Sequence, residues 1–350
     1  MSYLDNIRKV VPYTPGEQPK VEGEIIKLNT NEFPYPPSPE VRKALDALDE
    51  DKLRLYPNIT AAPIAKAISE YYGFSEDETF VGVGSDDVLA NCFLTFFNSE
   101  KPILFPDITY SFYDVWADLY KIPYKLIPLN DKFEINIEDY YQENGGIVIA
   151  NPNAPTGIAL PLSSIENIVS KNPDSIVIVD EAYVDFGGES AMQLVRKYDN
   201  LLVVQTFSKS RAAAGMRIGY AVGNKILIKY LSDVKFSINS YTMNQMALAA
   251  GVAAVKDDKY FKETVTRVIE TREWAKEELI KLGFNVLESK TNFLFVTNEK
   301  KSAKEIFEYL KTKNIFVRYF NKPRIDNYLR ITIGTKEQME KLVKELKEIL

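Results

Sequence analysis

The chain has 350 residues and a formal net charge of −6, from 43 lysines and arginines against 49 aspartates and glutamates. Apolar residues make up 45% of it, which is enough to build one large core and a smaller one. Because no long run of charge has a single sign, the composition argues against nucleic acid or a membrane surface as partner. Small molecules are therefore the expected partners.

Cysteine and histidine usage narrows the chemistry. Cys92 is the only cysteine, so an internal disulfide framework is excluded, and histidine does not occur. Proton transfer must then fall to lysine, aspartate, glutamate or tyrosine, and we expect no metal site. The first residues, "MSYLDNIRKVVPY", lack the apolar centre of a signal peptide, and no apolar run approaches a membrane span. We therefore expect a cytoplasmic protein.

The first half of the chain predicts an arm followed by alternating helices and strands. Residues 1–37 show no periodicity and are expected to form an N-terminal arm. A helix should begin at Ser38-Pro39, where proline occupies the first helical position. Next come "AAPIAKAISEYYG" as a helix, "TFVGVG" as a strand, "SDDVLANCFLTFF" as a helix and "PILFP" as a strand.

Three short apolar runs follow at similar intervals, at residues 147–150, 176–179 and 201–205. This spacing predicts an α/β fold in which a mostly parallel sheet is covered by helices, forming a large domain over residues 38–255. Ligands bind beyond the carboxyl ends of such strands. The chemistry should therefore lie in the loops "NPNAPTG", "DEAY" and "TFSKS".

Residues 256–350 are expected to form a smaller α+β domain. A long charged helix leads to strands around "TNFLFVT", "IFVRYF" and "YLRITIG". The last helix should start at Thr335, with Gln338 in the capping-box position.

The lysine loop is the first candidate site. Lys209 follows a buried strand, and a lysine amine that loses its proton can form a Schiff base with a carbonyl. A lone lysine in a loop is usually an ordinary surface residue. Here the hydroxyls of Thr206 and Ser208, together with Arg217, would make an anion site beside it.

Two further features fit the same cofactor. Asp180 ends the run "SIVIVD", although a helix cap would explain it equally well. Gly84, Ser85 and Asp86 lie at a strand-to-helix junction, where free backbone N–H groups attract phosphate. Pyridoxal 5'-phosphate requires a lysine, a carboxylate for its pyridine nitrogen and a phosphate cup, so the set points to this cofactor.

The motifs "NPNAPTG", "VDEAYVDF", "TFSKSRAAAGMRIGY" and "YLRITIG" together resemble those of fold-type I pyridoxal-phosphate aminotransferases, over nearly the whole chain. The stretches "KLNTNEFPYPPS", "GVGSDD" and "PDITYSFY" are similar to those of the histidinol-phosphate aminotransferase family. The resemblance implies transamination between L-histidinol phosphate and 2-oxoglutarate, giving imidazole acetol phosphate and L-glutamate, in histidine biosynthesis.

The resemblance also implies a role for each residue. Lys209 would bond the cofactor and move the proton, Asp180 would hold the pyridine nitrogen, Tyr183 the phenolic oxygen, and Tyr110 would stack on the ring. The cofactor phosphate would be held by Gly84, Ser85, Asp86, Thr206, Ser208 and Arg217, and by Tyr56 from the second subunit of a homodimer. The substrate's anionic end would be held by Tyr13, Asn31, Arg318 and Arg330.

This chain departs from the family at one position. The family has asparagine directly before "PTG", where it touches the phenolic oxygen, whereas this chain has Ala154. We expect Asn153, one residue earlier, to make that contact.

Four alternatives stay open at this point. A threonine-phosphate decarboxylase or a broad aromatic aminotransferase would share the fold and the lysine. A cofactor-binding regulator is opposed by the acidic charge and the lack of a basic DNA-binding domain. A nucleotide-binding protein is opposed by "GVGSDD", which lacks the third glycine of that fingerprint.

Overall fold

The computed structural model describes residues 2–19 and 23–350. In that part of the chain the α-helices are α1 (Pro39–Asp46), α2 (Ala62–Tyr72), α3 (Ser85–Phe96), α4 (Tyr113–Tyr120), α5 (Leu162–Lys171), α6 (Lys225–Ile238), α7 (Gln245–Lys256), α8 (Asp258–Lys281), α9 (Ala303–Thr312) and α10 (Lys336–Ile349). The strands are β1 (Ile26–Lys27), β2 (Thr79–Gly82), β3 (Ile103–Pro106), β4 (Tyr124–Ile127), β5 (Gly146–Ala150), β6 (Val177–Asp180), β7 (Leu201–Thr206), β8 (Gly219–Gly223), β9 (Phe284–Val286), β10 (Phe293–Asn298), β11 (Ile315–Phe316), β12 (Arg318–Tyr319) and β13 (Leu329–Thr332).

A seven-stranded sheet forms the centre of the larger unit. Its strand order is β2-β8-β7-β6-β5-β3-β4, and every neighbouring pair is parallel except those that involve β8. The mostly parallel sheet predicted from the apolar runs is therefore confirmed. The antiparallel β8 follows the lysine loop and lies between β7 and β2.

Helices cover both faces of this sheet, and successive side chains of a strand point to opposite faces. Ile147 and Ile149 pack on one face with residues of α2, α5 and α7, whereas Val148 packs on the other with residues of α3 and α4. This arrangement explains why β5, β6 and β7 appear in the sequence as continuous apolar runs.

The smaller unit is built around the antiparallel sheet β12-β13-β10-β9. Helices α8, α9 and α10 contribute its core, and α10 begins at the predicted capping box of Thr335 and Gln338. Ile26 of β1 pairs with Ile315 of β11, so the end of the predicted arm packs with this unit. The domain boundaries proposed from the sequence stay a prediction.

The carboxyl ends of β5, β6 and β7 lie at one edge of the large sheet. The three loops singled out from the sequence, at residues 151–157, 180–183 and 206–210, therefore meet there. No helix within residues 2–19 and 23–350 combines the length and apolar character that a bilayer span needs.

Candidate active site

A cavity of about 240 Å³ lies at this edge of the sheet. Nine residues predicted for the cofactor or for catalysis line it, namely Ser85, Asp86, Tyr110, Asp180, Tyr183, Thr206, Ser208, Lys209 and Arg217. Ala154 and two residues of the N-terminal segment, Thr30 and Glu32, complete part of its wall. The fold thus brings residues from six separate segments of the chain to one space.

Lys209 lies half-buried in the loop after β7, with its amine in the cavity. Its Nζ donates to the Thr30 carbonyl at 3.4 Å and lies 5.7 Å from the centroid of the Tyr183 ring. The next residue, Ser210, is buried and donates to a carboxylate oxygen of Asp185 at 2.5 Å. This bond anchors the lysine loop to the turn that carries Tyr183, so the two side chains keep a fixed relation.

Asp180 is the last residue of β6 and is buried. Burial, the largest cause, raises the pKa of its carboxyl group to about 6. The Tyr113 hydroxyl, at 2.8 Å, and the Ala182 backbone N–H, at 3.2 Å, donate to the carboxylate and oppose that rise. The group is therefore ionised near neutral pH, but only by a narrow margin.

The residues predicted to hold the phosphate lie where β2 turns into α3. Gly84 precedes the helix with φ of 86°, and no side chain caps the helix, so its first N–H groups are not satisfied by a capping side chain. The positive φ favours glycine at position 84, where a Cβ atom would also lie 2.6 Å from Nη2 of Arg217 and displace that guanidinium. Arg217 Nη1 lies 3.4 Å from the Ser208 hydroxyl oxygen. The backbone N–H of Ser208 donates to Thr206 Oγ1.

Tyr110 and Asp86 form one wall of the cavity. The Tyr110 hydroxyl donates to Asp86 Oδ1 at 2.8 Å, while Asp86 Oδ2 lies 3.5 Å from Arg217 Nη2. Burial raises the pKa of Tyr110 well above its ordinary value, so this hydroxyl stays a donor. The aromatic ring is therefore held at a fixed angle beside the cavity.

Asn31 supports Tyr183. Its Nδ2 donates to the Tyr183 hydroxyl oxygen at 2.8 Å, and its Oδ1 accepts from Thr332 at 3.0 Å. The backbone of Asn31 has φ of 57°, a conformation that asparagine tolerates better than most residues. The amide predicted to meet substrate is thus engaged with the protein on both sides.

Arg318 and Arg330 lie directly opposite each other on β12 and β13. Nη2 of Arg330 donates to the Asn29 carbonyl at 3.1 Å, while its buried Nε has no partner among the described residues. Burial lowers the pKa of Arg330, and the charge of Arg318 lowers it further. Tyr13 and Arg318 line a neighbouring cavity of about 490 Å³. The Tyr13 ring stacks on Phe112, with the two ring centroids 4.0 Å apart.

Asn153, predicted to contact the cofactor, does not line the cavity. Its side chain donates to the Ile108 carbonyl at 2.9 Å and accepts from the Thr109 hydroxyl at 2.8 Å. Both ends of the amide are therefore bound to the segment that follows β3. Ala154, not Asn153, lines the cavity.

Tyr56 lies away from the cavity of its own chain. The side chain is 81% exposed and stacks on Tyr241 at a centroid distance of 4.6 Å. Its predicted role, which requires a second subunit, stays a prediction.

Sequence reasoning missed Tyr113, which holds Asp180, and the Ser210–Asp185 pair, which anchors Lys209. Tyr113 follows two other aromatic residues in "YSFY", so nothing local distinguishes it from a core residue. Both contacts join segments that are far apart in the sequence.

Comparisons with known proteins identify the family. Residues 23–346 match the family model described as aminotransferase class I and II. The histidinol-phosphate aminotransferase of Clostridium botulinum strain Kyoto is 52% identical over 349 residues, which cover 99% of this chain and 98% of that relative.

Two solved structures share the fold. The histidinol-phosphate aminotransferase of Sinorhizobium meliloti, in complex with pyridoxal-5'-phosphate, has a TM-score of 0.84 at 20% identity, covering 93% of this chain and 92% of that one. The L-threonine-O-3-phosphate decarboxylase of Porphyromonas gingivalis has a TM-score of 0.78 at 22% identity, covering 93% and 99%. Likeness at this level shows the fold alone, whereas the 52% identity over the full length decides the family. The chain belongs to the class I and II aminotransferases and, within them, to the histidinol-phosphate aminotransferase family.

Proposed function

We propose that this chain transfers an amino group between L-histidinol phosphate and 2-oxoglutarate, with imidazole acetol phosphate and L-glutamate as the other pair, in histidine biosynthesis. One observation carries the substrate assignment: the two arginines face each other across β12 and β13, and the buried Nε of Arg330 lacks a partner among the described residues. Two adjacent guanidinium groups repel each other unless an anion lies between them. The named relatives support the choice of anion.

The residues around the cavity fit pyridoxal 5'-phosphate. Gly84 and the uncapped start of α3 form a cradle that any larger side chain would fill, with Arg217 beside it, and this chemistry suits a phosphate. Asp180 suits a protonated ring nitrogen, and the Lys209 amine suits the aldehyde. When bound, this cofactor supplies an electron-withdrawing ring and a carbon that carries the amino group from one substrate to the other.

Lys209 would be the proton carrier of the site. Its Nζ lies in the cavity between the Thr30 carbonyl and the Tyr183 ring, and the Ser210–Asp185 bond fixes its loop. The amine would remove the proton from the substrate carbon that bears the amino group. The absence of histidine from the chain supports this role, since no imidazole can take it.

The arginine pair would serve both substrates in turn. A planar guanidinium binds phosphate and carboxylate by the same two-point geometry, which lysine does not provide. Arg318 and Arg330 could therefore hold the phosphate of histidinol phosphate and then the side-chain carboxylate of glutamate. Tyr13, stacked on Phe112, would cover this end of the site and exclude water.

We also propose that the working unit is a homodimer. Tyr56 is largely exposed, and its neighbours in sequence, Leu53 and Leu55, are 60% and 51% exposed. Ile238, at the end of α6, is 61% exposed and lies close in sequence to Tyr241, which stacks on Tyr56. An apolar surface of this kind favours cover by a second copy, which would bring Tyr56 to the partner's phosphate cup.

The test is the visible spectrum of the purified protein with pyridoxal phosphate, before and after histidinol phosphate is added without any keto acid. We expect the band of the aldehyde form to be replaced by that of the amine form, and glutamate alone to do the same. Lys209→Ala should abolish both changes, whereas Lys197→Ala, an exposed lysine paired with Glu166, should leave them intact.

Each of the other outcomes would reject a different part of the proposal. If only threonine phosphate perturbs the band and carbon dioxide is released, the protein is a decarboxylase. If no band forms, Lys209 does not bind the cofactor. Sedimentation at several protein concentrations tests the dimer separately.

A further inference from the structure

We propose that Tyr113 is a positioning residue that holds the Asp180 carboxylate in its ionised form and so keeps the shared proton on the ring nitrogen of the cofactor. The inference rests on the proposed binding of pyridoxal phosphate. Tyr113 does not line the cavity, so it would act only through Asp180.

Among the described residues, the Tyr113 hydroxyl has one hydrogen-bond partner, the carboxylate of Asp180. Tyr113 is fully buried in the first turn of α4, and its hydroxyl donates to Asp180 Oδ2 at 2.8 Å. Its ring packs edge-on against Phe105 and Tyr110, with centroids 5.8 and 5.7 Å away. Burial raises the pKa of Tyr113 well above its ordinary value, so it donates to the carboxylate at every pH at which the enzyme could work.

Two hydrogen-bond donors, Tyr113 and the Ala182 N–H, and two charged groups, Asp86 and Lys209, face Asp180 from four segments of the chain. Burial at the end of β6 raises the pKa of Asp180 to about 6; the bonds from Tyr113 and from the Ala182 N–H lower it, Asp86 of α3 raises it, and Lys209 lowers it. Removing the Tyr113 hydroxyl takes away the strongest of the lowering contacts. Its loss should therefore raise the pKa of Asp180 further above its ordinary value.

The chemical consequence is a change in where one proton lies. A carboxylate and a protonated ring nitrogen form an ion pair, whereas a neutral carboxylic acid leaves the nitrogen unprotonated. Hydrogen bonds to the charged form favour the ion pair. Loss of one hydrogen bond to a charged group should shift the distribution of the shared proton toward Asp180 by about tenfold or more.

The chain offers a matched control. Tyr140 is also fully buried, but its hydroxyl has no hydrogen-bond partner within the described residues, and it lies on the turn Ile137–Tyr140. Tyr140→Phe and Tyr113→Phe remove the same atom from equally buried rings. Only the second removal should change the active site.

The experiment uses the holoenzyme loaded with pyridoxal phosphate that carries nitrogen-15 in its ring. We expect the nitrogen signal of Tyr113→Phe to move toward the unprotonated position at constant pH, while Tyr140→Phe matches the parent. The kcat of both half-reactions should fall about tenfold in Tyr113→Phe, with KM within about twofold, because Tyr113 touches no substrate.

An unchanged nitrogen signal in Tyr113→Phe would overturn the inference even if activity fell, since the residue would then only be packing. If Tyr113→Phe fails to fold, 3-fluorotyrosine at position 113, a stronger donor, must move the signal toward the protonated position. If the parent protein binds no labelled cofactor, the proposed function has failed instead, so the two failures are distinguishable.

Discussion

Glu181 is a buried carboxyl group whose ionisation should weaken the fold near neutral pH. It follows Asp180 and is 2% exposed. Its oxygens accept from the Ser190 hydroxyl at 2.6 Å, the Ala191 N–H at 2.6 Å and Gln205 Nε2 at 2.8 Å. Burial outweighs these three bonds and raises the pKa of Glu181 from an ordinary 4.5 to about 7.

The sign and size of the effect follow from that rise. A carboxyl group whose pKa is higher in the folded state stabilises the fold fully below about pH 4.5, and this contribution is lost as the pH rises through about 7. At roughly 1.4 kcal/mol per pKa unit, the rise corresponds to about 3 kcal/mol. That is a large part of the stability of an ordinary domain.

The assay compares the parent with Glu181→Gln, which cannot ionise, at fixed protein and cofactor concentrations. Between about pH 5 and pH 9 the difference in unfolding free energy should move by about 3 kcal/mol in favour of the variant. Glu189→Gln, in an exposed side chain nearby, should show no such trend. A difference that stays flat, or that moves toward the parent as the pH rises, would refute the argument.

Three further changes test the site. Arg330→Ala should lower kcat/KM for histidinol phosphate and for glutamate by about ten- to a hundredfold, since a charge-assisted bond is lost, while the cofactor spectrum stays unchanged; an effect on one substrate alone would contradict dual recognition. Gly84→Ala should weaken cofactor binding at equilibrium dialysis, because its Cβ would meet Arg217 at 2.6 Å; unchanged affinity would show that the cup relaxes. Ser210→Ala should lower the unfolding free energy by about 1–3 kcal/mol, because the Asp185 carboxylate loses its donor; thermal unfolding measures it, and an unchanged midpoint would contradict it.

The sequence predicted those parts of the fold that depend on local pattern. The runs that became β5, β6 and β7 are continuous and apolar because both faces of the sheet are covered. The start of α10 followed from a capping box that acts within four residues. The loops of the site could be placed because carboxyl ends of parallel strands share one edge.

The parts that sequence did not predict depend on contacts between distant segments. The Tyr113 hydroxyl finds Asp180, 67 residues away, only once the sheet has formed. Asn153 was expected at the cofactor because it is next to Ala154, yet its amide is bound by Ile108 and Thr109 from a different strand end. Adjacent residues on an irregular loop face different directions, so the position of Asn153 next to Ala154 did not predict which side chain faces the cavity.

Several departures from ordinary local rules gather around two neighbouring cavities. Helix α3 starts without a capping side chain, Arg217 has φ of 52°, Arg318 and Arg330 are paired with like charge, and Asp180 is buried. Each departure costs stability when considered alone. A bound anion would offset the cost of the uncapped helix start and of the paired arginines. Each residue had an ordinary explanation when taken alone. Together they support the proposal that the site binds an anionic group, a protonated nitrogen and a second anion at once.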